Sequence, residues 1–428
     1  MADNNPIYNL KAVIKEVGLN PATLRAWERR YGLVKPQRSP GGQRLYSRQD
    51  IEVLKWLVER QNEGLSISRA VEMWKTHIKE DQTVSPQIQA PMLVSSTGEA
   101  KIDELRDQWI GACLAFDDHA ANMALEQAYA IAAPETVCME VLQKGLAQIG
   151  EGWYDGSLSV QQEHFASAIA IRRLNTLLAA TAAPSREGCI LVACPPGEEH
   201  DFILLMIAYL LRRNAWNVLY LGSNVPLLNL DAMLQSTKPS ITLSAAQTLN
   251  SAASLREMSE YLLNQGVPLA FGGGIFNLVP ATIQRISGYY LGTNIAMVPQ
   301  IVELLIMAPP TMPNAQSVSP IVTQTLASFI HNEAVIVAYV ASAMQTGLVE
   351  PTHLEIANAN LTQLIASALT LGDINLLDHS IAWLNGLLEN YGFTTSAARQ
   401  FYGTYRQAVN QYLGDEGGII QGWLIKYQ

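Results

Sequence analysis

The run from residue 190 to 213, ILVACPPGEEHDFILLMIAYLLRR, constrains the fold more than any other stretch. An apolar strand ends, a Pro-Gly turn follows, and a single histidine, His200, opens an apolar helix. The pattern repeats through residues 187–307. Strands are expected at 189–193, 217–221, 240–244, 267–271 and 293–296. Helices are expected at 201–213, 227–234, 252–264, 280–286 and 299–306. Such alternation reads as a doubly wound parallel sheet. Ligands in that architecture bind beyond the C-terminal ends of the strands. His200 follows the first strand, Ser244 the third, and Gly272-Gly273-Gly274 the fourth, where small residues let a ligand approach backbone. An imidazole presented there suits a metal ion or a planar cofactor.

The N-terminus has a different character. Residues 1–77 hold 13 Lys/Arg against 8 Asp/Glu, whereas the remainder holds 15 against 30. The positive charge is concentrated where a nucleic-acid contact is useful, and the acidic remainder repels a phosphate backbone. Val13, Ile14 and Val17 share one helical face, and Gly18 closes that helix. Asn20 caps a second helix with Pro21 at its first position. That helix carries Thr23, Arg25, Arg29 and Arg30 around Leu24 and Trp27. A helix, a Gly turn and a basic helix make a helix-turn-helix. Gly41-Gly42 suit a hairpin wing flanked by Arg38, Arg44 and Tyr46, and Asp50 begins a further helix.

The stretch TLRAWERRYGL, followed by GGQRLYSRQDI and GLSI, resembles the MerR family of winged helix-turn-helix regulators over residues 7–75. The resemblance implies a dimer on palindromic double-stranded operator DNA. Arg29 or Arg30 is then placed to reach bases, with Arg38 and Arg44 on phosphates. Many such regulators end in an antiparallel coiled coil. Here the linker EDQTVSPQIQAPMLVSSTGEA is followed by no sustained heptad, so dimerisation comes from elsewhere or from DNA itself.

Residues 100–183 read as four helices, at 100–114, 117–131, 134–152 and 158–182, with Asp117 and Pro134 at two starts and Ser157 or Ser159 as a cap. Trp153, Glu163 and His164 converge if the last two helices pack. A lone Glu-His pair on a helix is more often a satisfied surface pair. Yet a tryptophan, nine residues, then Glu-His is similar to a motif in adenosylcobalamin-binding, light-responsive repressors of carotenoid genes. The resemblance implies that Trp153, Val160, Glu163 and His164 lie over the upper face of a cobalamin. A histidine follows the tryptophan in those repressors and ligates cobalt after photolysis; here Tyr154 stands instead. A phenol, with a pKa near 10, is a poor cobalt ligand at neutral pH.

The α/β unit resembles the cobalamin-binding fold. Its elements read Glu198-x-His200-x-x-Ile203, Ser244-Ala-Ala246 and Gly272-Gly273. The resemblance makes His200 the lower axial cobalt ligand and Glu198 the group that orients its other ring nitrogen. The nucleotide tail would thread beside Ser244, Gly272 and Gly273. Ile203 and Ala246 depart from the family's glycine and leucine.

Residues 308–320 read as a Pro-rich linker, and 321–428 as an all-helical domain with helices at 321–345, 350–370, 373–391, 394–413 and 416–426. Aromatic residues are dense there: Trp383, Tyr391, Phe401, Tyr402, Tyr405, Tyr412 and Trp423. One account is packing or dimerisation. The other is a second pocket, resembling the accessory domain of cobalamin/bilin photoreceptors, that takes biliverdin or another bilin.

The expected architecture is multidomain α and α/β. It comprises a winged helix-turn-helix (1–78), a linker (79–98), a four-helix bundle (99–184), a doubly wound parallel-sheet cobalamin-binding fold (185–307), a linker (308–320) and an all-helical domain (321–428). The expected function is a light-responsive regulator using adenosylcobalamin. A cobalamin/bilin regulator and a light-independent cobalamin sensor are alternatives. A corrinoid-dependent enzyme is disfavoured, because no catalytic barrel accompanies the fold. Four scattered cysteines, no apolar leader and no apolar run beyond Phe202–Leu211 suggest a cytoplasmic protein.

Overall fold

The computed structural model describes residues 8–9, 13–14, 17, 24, 37–38, 44–47, 50–51, 53–55, 57–58, 96–154, 157–344 and 350–427. Two compact units divide at residue 93.

In the first unit, β1 (Tyr8–Asn9), β2 (Gln37–Arg38) and β3 (Arg44–Tyr46) form an antiparallel sheet with β3 in the middle. The β2–β3 pairing is the expected wing, with Arg38 opposite Arg44. Its core includes Val13, Val17, Leu24, Ile51, Leu54 and Leu57. Ser47 and Asp50 cap the next helix reciprocally: Asp50 N donates to Ser47 Oγ (3.1 Å) and Ser47 N to Asp50 Oδ2 (2.8 Å).

The second unit opens with α1 (Ser96–Leu114) and α2 (Asp118–Ile131). Asp117 caps α2, accepting from Ala120 N at 2.9 Å. The third helix is interrupted: α3 (Pro134–Val137) passes through a π turn at Cys138–Gln143 into α4 (Lys144–Tyr154). Then comes α5 (Val160–Ala179), where Ser159 and Gln162 complete a capping box. Trp109, Leu105, Leu125, Leu142 and Leu174 fill the bundle core, which continues into Leu205, Met206 and Tyr209 of α6 (Phe202–Arg213). The bundle therefore sits on the helix that follows His200.

Five parallel strands form the main sheet: β4 (Cys189–Ala193), β5 (Asn217–Gly222), β6 (Ile241–Ala245), β7 (Leu269–Gly272) and β8 (Tyr289–Tyr290). Their order is β5-β4-β6-β7-β8. The chain reverses direction across the sheet between β4 and β6, and such a switch point opens a crevice at the strand ends. The last strand is at 289–290, not the expected 293–296; Ile295–Met297 is a 3-10 turn instead. Pro280–Arg285 is also a 3-10 helix. Ile190, Val192, Ile241, Leu243 and Ala245 face α6. The opposite face packs on α7 (Leu230–Thr237) and α8 (Leu249–Asn264). A short α9 (Gly274–Leu278) and then α10 (Val298–Met307) complete the unit.

The C-terminal helices are α11 (Pro320–Ala343), α12 (Pro351–Thr370), α13 (Ile381–Asn390), α14 (Thr395–Leu413) and α15 (Gly418–Leu424). A 3-10 segment, Ile374–His379, splits the single helix expected at 373–391. One continuous hydrophobic cluster joins Leu255, Met258 and Phe276 to Leu361, Ile365 and Leu369. Ser367 Oγ donates to Asn250 Oδ1 (3.0 Å), and Arg285 pairs with Asp373 (3.5 Å). The connection at 308–320 is strapped to the sheet edge rather than free. Gly288 N donates to Pro313 O and Tyr289 Oη to Pro310 O, while Gln316 N donates to Gln284 O.

Candidate functional site

The turn after β4 is built by short-range bonds and clamped from the next loop. Glu198 N donates to Pro195 O (3.1 Å), and Gly197 N to Asn224 Oδ1 (2.9 Å). Asn224, which follows β5, donates its own N–H to Glu198 O and its Nδ2 to Glu199 Oε1, both at 2.9 Å. His200 emerges from this clamp at the switch point.

Glu198 is buried, at 1% exposure. Its Oε1 accepts from His200 N (2.9 Å) and meets His200 Nδ1 (2.7 Å), and its Oε2 accepts from Gln247 N (2.7 Å). Burial pushes its pKa up, but hydrogen bonds from His200, Ser251 and Gln247 outweigh that and hold the carboxyl below its usual range. An ionised carboxylate only accepts, so Nδ1 carries a proton, and in the neutral ring Nε2 keeps its lone pair. The imidazole is 70% exposed. The bond to Glu198 raises the His200 pKa against partial burial, with the charges of Glu198, Glu163 and Glu199 adding to the effect. The result is a rigidly oriented ring with one free nitrogen, a common arrangement for a metal-ligating histidine.

Behind it, Thr242 and Ser244 project from the face of β6 opposite Ile241, Leu243 and Ala245. Ser244 Oγ reaches only the Met258 sulfur at 3.9 Å. The Thr242 hydroxyl is fully buried with no partner among the described residues. Leaving a buried hydroxyl unpaired costs about 1–3 kcal/mol. Thr242→Val is therefore expected to stabilise the cofactor-free protein by about 1 kcal/mol. A thermal melt reads this directly, and an unchanged or lowered Tm would mean the hydroxyl is already paired.

Beside Ser244, β7 runs into Gly272 and Gly273. Gly273 has φ of +120°, and a Cβ there would lie 2.1 Å from Ala246 O. A Cβ at Gly272 would stand in open space. Gly274 N donates to Gln247 Oε1 (2.8 Å), which ties this loop to the residue holding Glu198. The departures from the family pattern are absorbed: Ala246 is core, and Ile203 packs between the bundle and the sheet.

On α5, Val160 is 38% exposed. Glu163 Oε2 meets His164 Nδ1 at 2.7 Å, and Ser167 Oγ donates to Glu163 Oε1 at 2.7 Å. The imidazole of His164 is 76% exposed. The structure thus brings Glu163 within electrostatic reach of His200. Trp153 and Tyr154 end α4, and their side chains lie outside the described residues.

At the N-terminus, Thr23, Arg25, Arg29 and Arg30 also lie outside the described residues. Arg38 and Arg44 pair across the wing. Tyr46 is a correction: its ring is fully buried, so it supports the wing from inside rather than flanking DNA. The C-terminal aromatics are mostly core. Phe401 and Tyr405 are fully buried, while Tyr402 and Trp423 are 2% exposed. A cavity of about 180 Å³ remains beside Phe393, Arg399, Tyr402 and Tyr427. Ligand pockets usually span about 300–1,000 Å³, so this one is small for a tetrapyrrole.

Sequence reasoning missed Asn224, Gln247, Ser251 and Thr242. Only Ser251 left a signal, since Thr248-x-x-Ser251 forms a helix-capping box that marks the start of α8. Asn224 and Gln247 contribute through contacts between loops far apart in sequence, and the unpartnered state of the Thr242 hydroxyl is set by what packs around it.

The chain matches the MerR HTH family regulatory protein over residues 8–76 and the B12 binding domain over residues 105–178. The HTH-type transcriptional repressor CarH of Myxococcus xanthus is 30% identical over 291 residues, which is 65% of this chain and 93% of that protein. The HTH-type transcriptional repressor CarA of the same organism is 29% identical over 234 residues, covering 54% and 74%. Among solved structures, the monomethylamine corrinoid protein of Methanosarcina barkeri aligns with a TM-score of 0.41 at 17% identity, over 48% of this chain and 98% of that one. With a DNA-reading domain at one end and a B12-binding unit behind it, the chain belongs to the same family as CarH, that of B12-binding, MerR-type transcription regulators.

Proposed function

We propose that the chain is a light-responsive regulator of transcription that uses adenosylcobalamin as its chromophore. The observation that carries this reading is the pairing of His200 Nδ1 with buried Glu198, which leaves Nε2 available, with Glu163 of α5 within electrostatic reach. The residues fit a corrinoid. His200 Nε2 would be the donor to cobalt, and the unpartnered Thr242 hydroxyl and the open space at Gly272 would help hold the nucleotide tail. When bound, adenosylcobalamin supplies a photolabile cobalt–carbon bond.

The chain's own residues do the rest. Glu198 fixes the His200 ring and its tautomer. Val160, Glu163 and His164, with Trp153 as the resemblance implies, would cover the upper side of the bound group. α5 rests on α6, the helix that follows His200, so a change in what α5 packs on at the site would be passed to α6. Movement of the bundle against the sheet would then alter the oligomer and its grip on paired half-sites of a palindromic operator. Tyr154 offers no imidazole, so this chain relies on relaxation of the bundle rather than on a new ligand at that position.

An absorption spectrum taken before and after green light tests the reading. Protein loaded with adenosylcobalamin in the dark is expected to change its spectrum irreversibly and to shift its operator affinity at least tenfold, about 1.4 kcal/mol. Bound cobalamin with light-indifferent DNA binding would make it a cobalamin sensor instead. An added band in the red, with biliverdin supplied, would assign the C-terminal cavity to a bilin after rearrangement.

A further inference from the structure

Helix α11 is the one helix among the described residues with the length and apolarity of a membrane span, with mean hydropathy 1.3, yet only 17% of that stretch is buried. Phe202–Leu211 remains the longest uninterrupted apolar run, but α11 is apolar on average over a longer span. Glu333 is the sole charged residue in its 24 positions. Its inner face is already used. Thr325, Phe329, Ile336 and Val340 are buried, Thr325 Oγ1 donates to Glu416 O (2.8 Å), and Asn358 Nδ2 donates to Val337 O (2.9 Å). A helix tied on one side into a folded module does not cross a bilayer. The outer face nonetheless carries an apolar line: Ile330 is 55% exposed and Val335 44%, Ala327, Ala334 and Ala338 are exposed with them, and His331 and Glu333 are exposed at its margins.

The spacing on this face identifies its occupant. Ala327, Ile330, Ala334, Ala338 and the half-buried Ala341 recur at intervals of three and four, a seam about 21 Å long. The seam is symmetric about Ala334. In an antiparallel pair of identical helices, Ile330 of one meets Ala338 of the other, and Ala327 meets Ala341. Each bulky side chain then faces a small one, and the contact closes on itself with two-fold symmetry. A parallel pair would set Ile330 against Ile330 and leave a gap at Ala338. The rest of the chain argues for self-association too. Helix-turn-helix readers bind two half-sites as dimers, and no heptad repeat follows the DNA-reading domain here.

We propose that α11 is a self-association surface, on which a second copy of this chain pairs antiparallel about Ala334. The surface is independent of the chromophore, so the proposal stands apart from the light reading.

Cysteine cross-linking of the full-length protein tests it. Three of the four native cysteines are buried and the fourth is half-buried, which keeps the background low. Ala334→Cys places two thiols at the two-fold axis, within disulfide reach. Ala338→Cys is also exposed, but in the antiparallel pair its two thiols lie about 12 Å apart along the axis, beyond that reach. Under mild oxidation at micromolar protein, Ala334→Cys is expected to form a disulfide dimer at least tenfold more abundantly than Ala338→Cys, with circular dichroism matching the parent. Equal yields from both variants would mean random collision and overturn the pairing. So would no dimer from Ala334→Cys, or protection of that thiol only on adding lipid vesicles or another protein.

Discussion

His200→Ala is expected to strip the protein of cobalamin. The ring supplies a basic nitrogen held out of the clamp formed by Glu198, Gln247 and Asn224. Outer partners of metal ligands typically carry 10–100-fold in affinity, and the ligand itself should carry at least the upper end, about 100-fold. The fold should survive. The side chain is 70% exposed, and the Glu198 carboxylate keeps the Gln247 and Ser251 donors when the ring is gone. The check is cobalamin retained after gel filtration in the dark, read by absorbance, beside a thermal melt. Retention at the parent's level with an unchanged cobalt spectrum would remove His200 from the lower position. A collapse of Tm along with retention would make the residue structural instead.

Gly273→Ala is expected to be the most destabilising single-methyl change in the α/β unit. The added Cβ would stand 2.1 Å from Ala246 O and 2.8 Å from Ala246 C and N, all of them backbone. The φ of +120° also lies where L side chains are strained. Strain and overpacking each cost about 1–3 kcal/mol, so a total of about 2–6 kcal/mol is expected. The harm should spread to the site, because Gly274 and Glu198 are both held by Gln247. Gly272→Ala is the control, since its Cβ would meet nothing within 4 Å. A lower Tm for Gly273→Ala alone is the expected pattern. Equal Tm values for the two variants would mean that the loops after β6 and β7 do not touch as described.

Much of this architecture is written locally. The four strands at 189–193, 217–222, 241–245 and 269–272 follow apolar runs broken by Gly and Pro, and they fall within about two residues of expectation. Asp117 and Ser159 cap their helices because a short polar side chain precedes each periodic run. His200 and Glu198 stand two residues apart, so their hydrogen bond is a property of one turn. The edge strand at 289–290 escaped because two residues give no periodicity and its partner, β7, is supplied only by the sheet.

What the sequence determines by itself is thus the order of elements, the basic DNA-reading end, and a histidine aimed out of a strand-end turn. All of these depend on residues within a few positions of one another. The tertiary structure alone decided that Gln247, in the loop after β6, and Ser251 of α8 hold Glu198, and that Tyr46 is core. It also decided that 308–320 is strapped to the sheet and that the C-terminal aromatics mostly pack on each other. Those outcomes depend on which surfaces meet across tens or hundreds of residues. Side-chain periodicity states that a face is apolar, but not what will cover it.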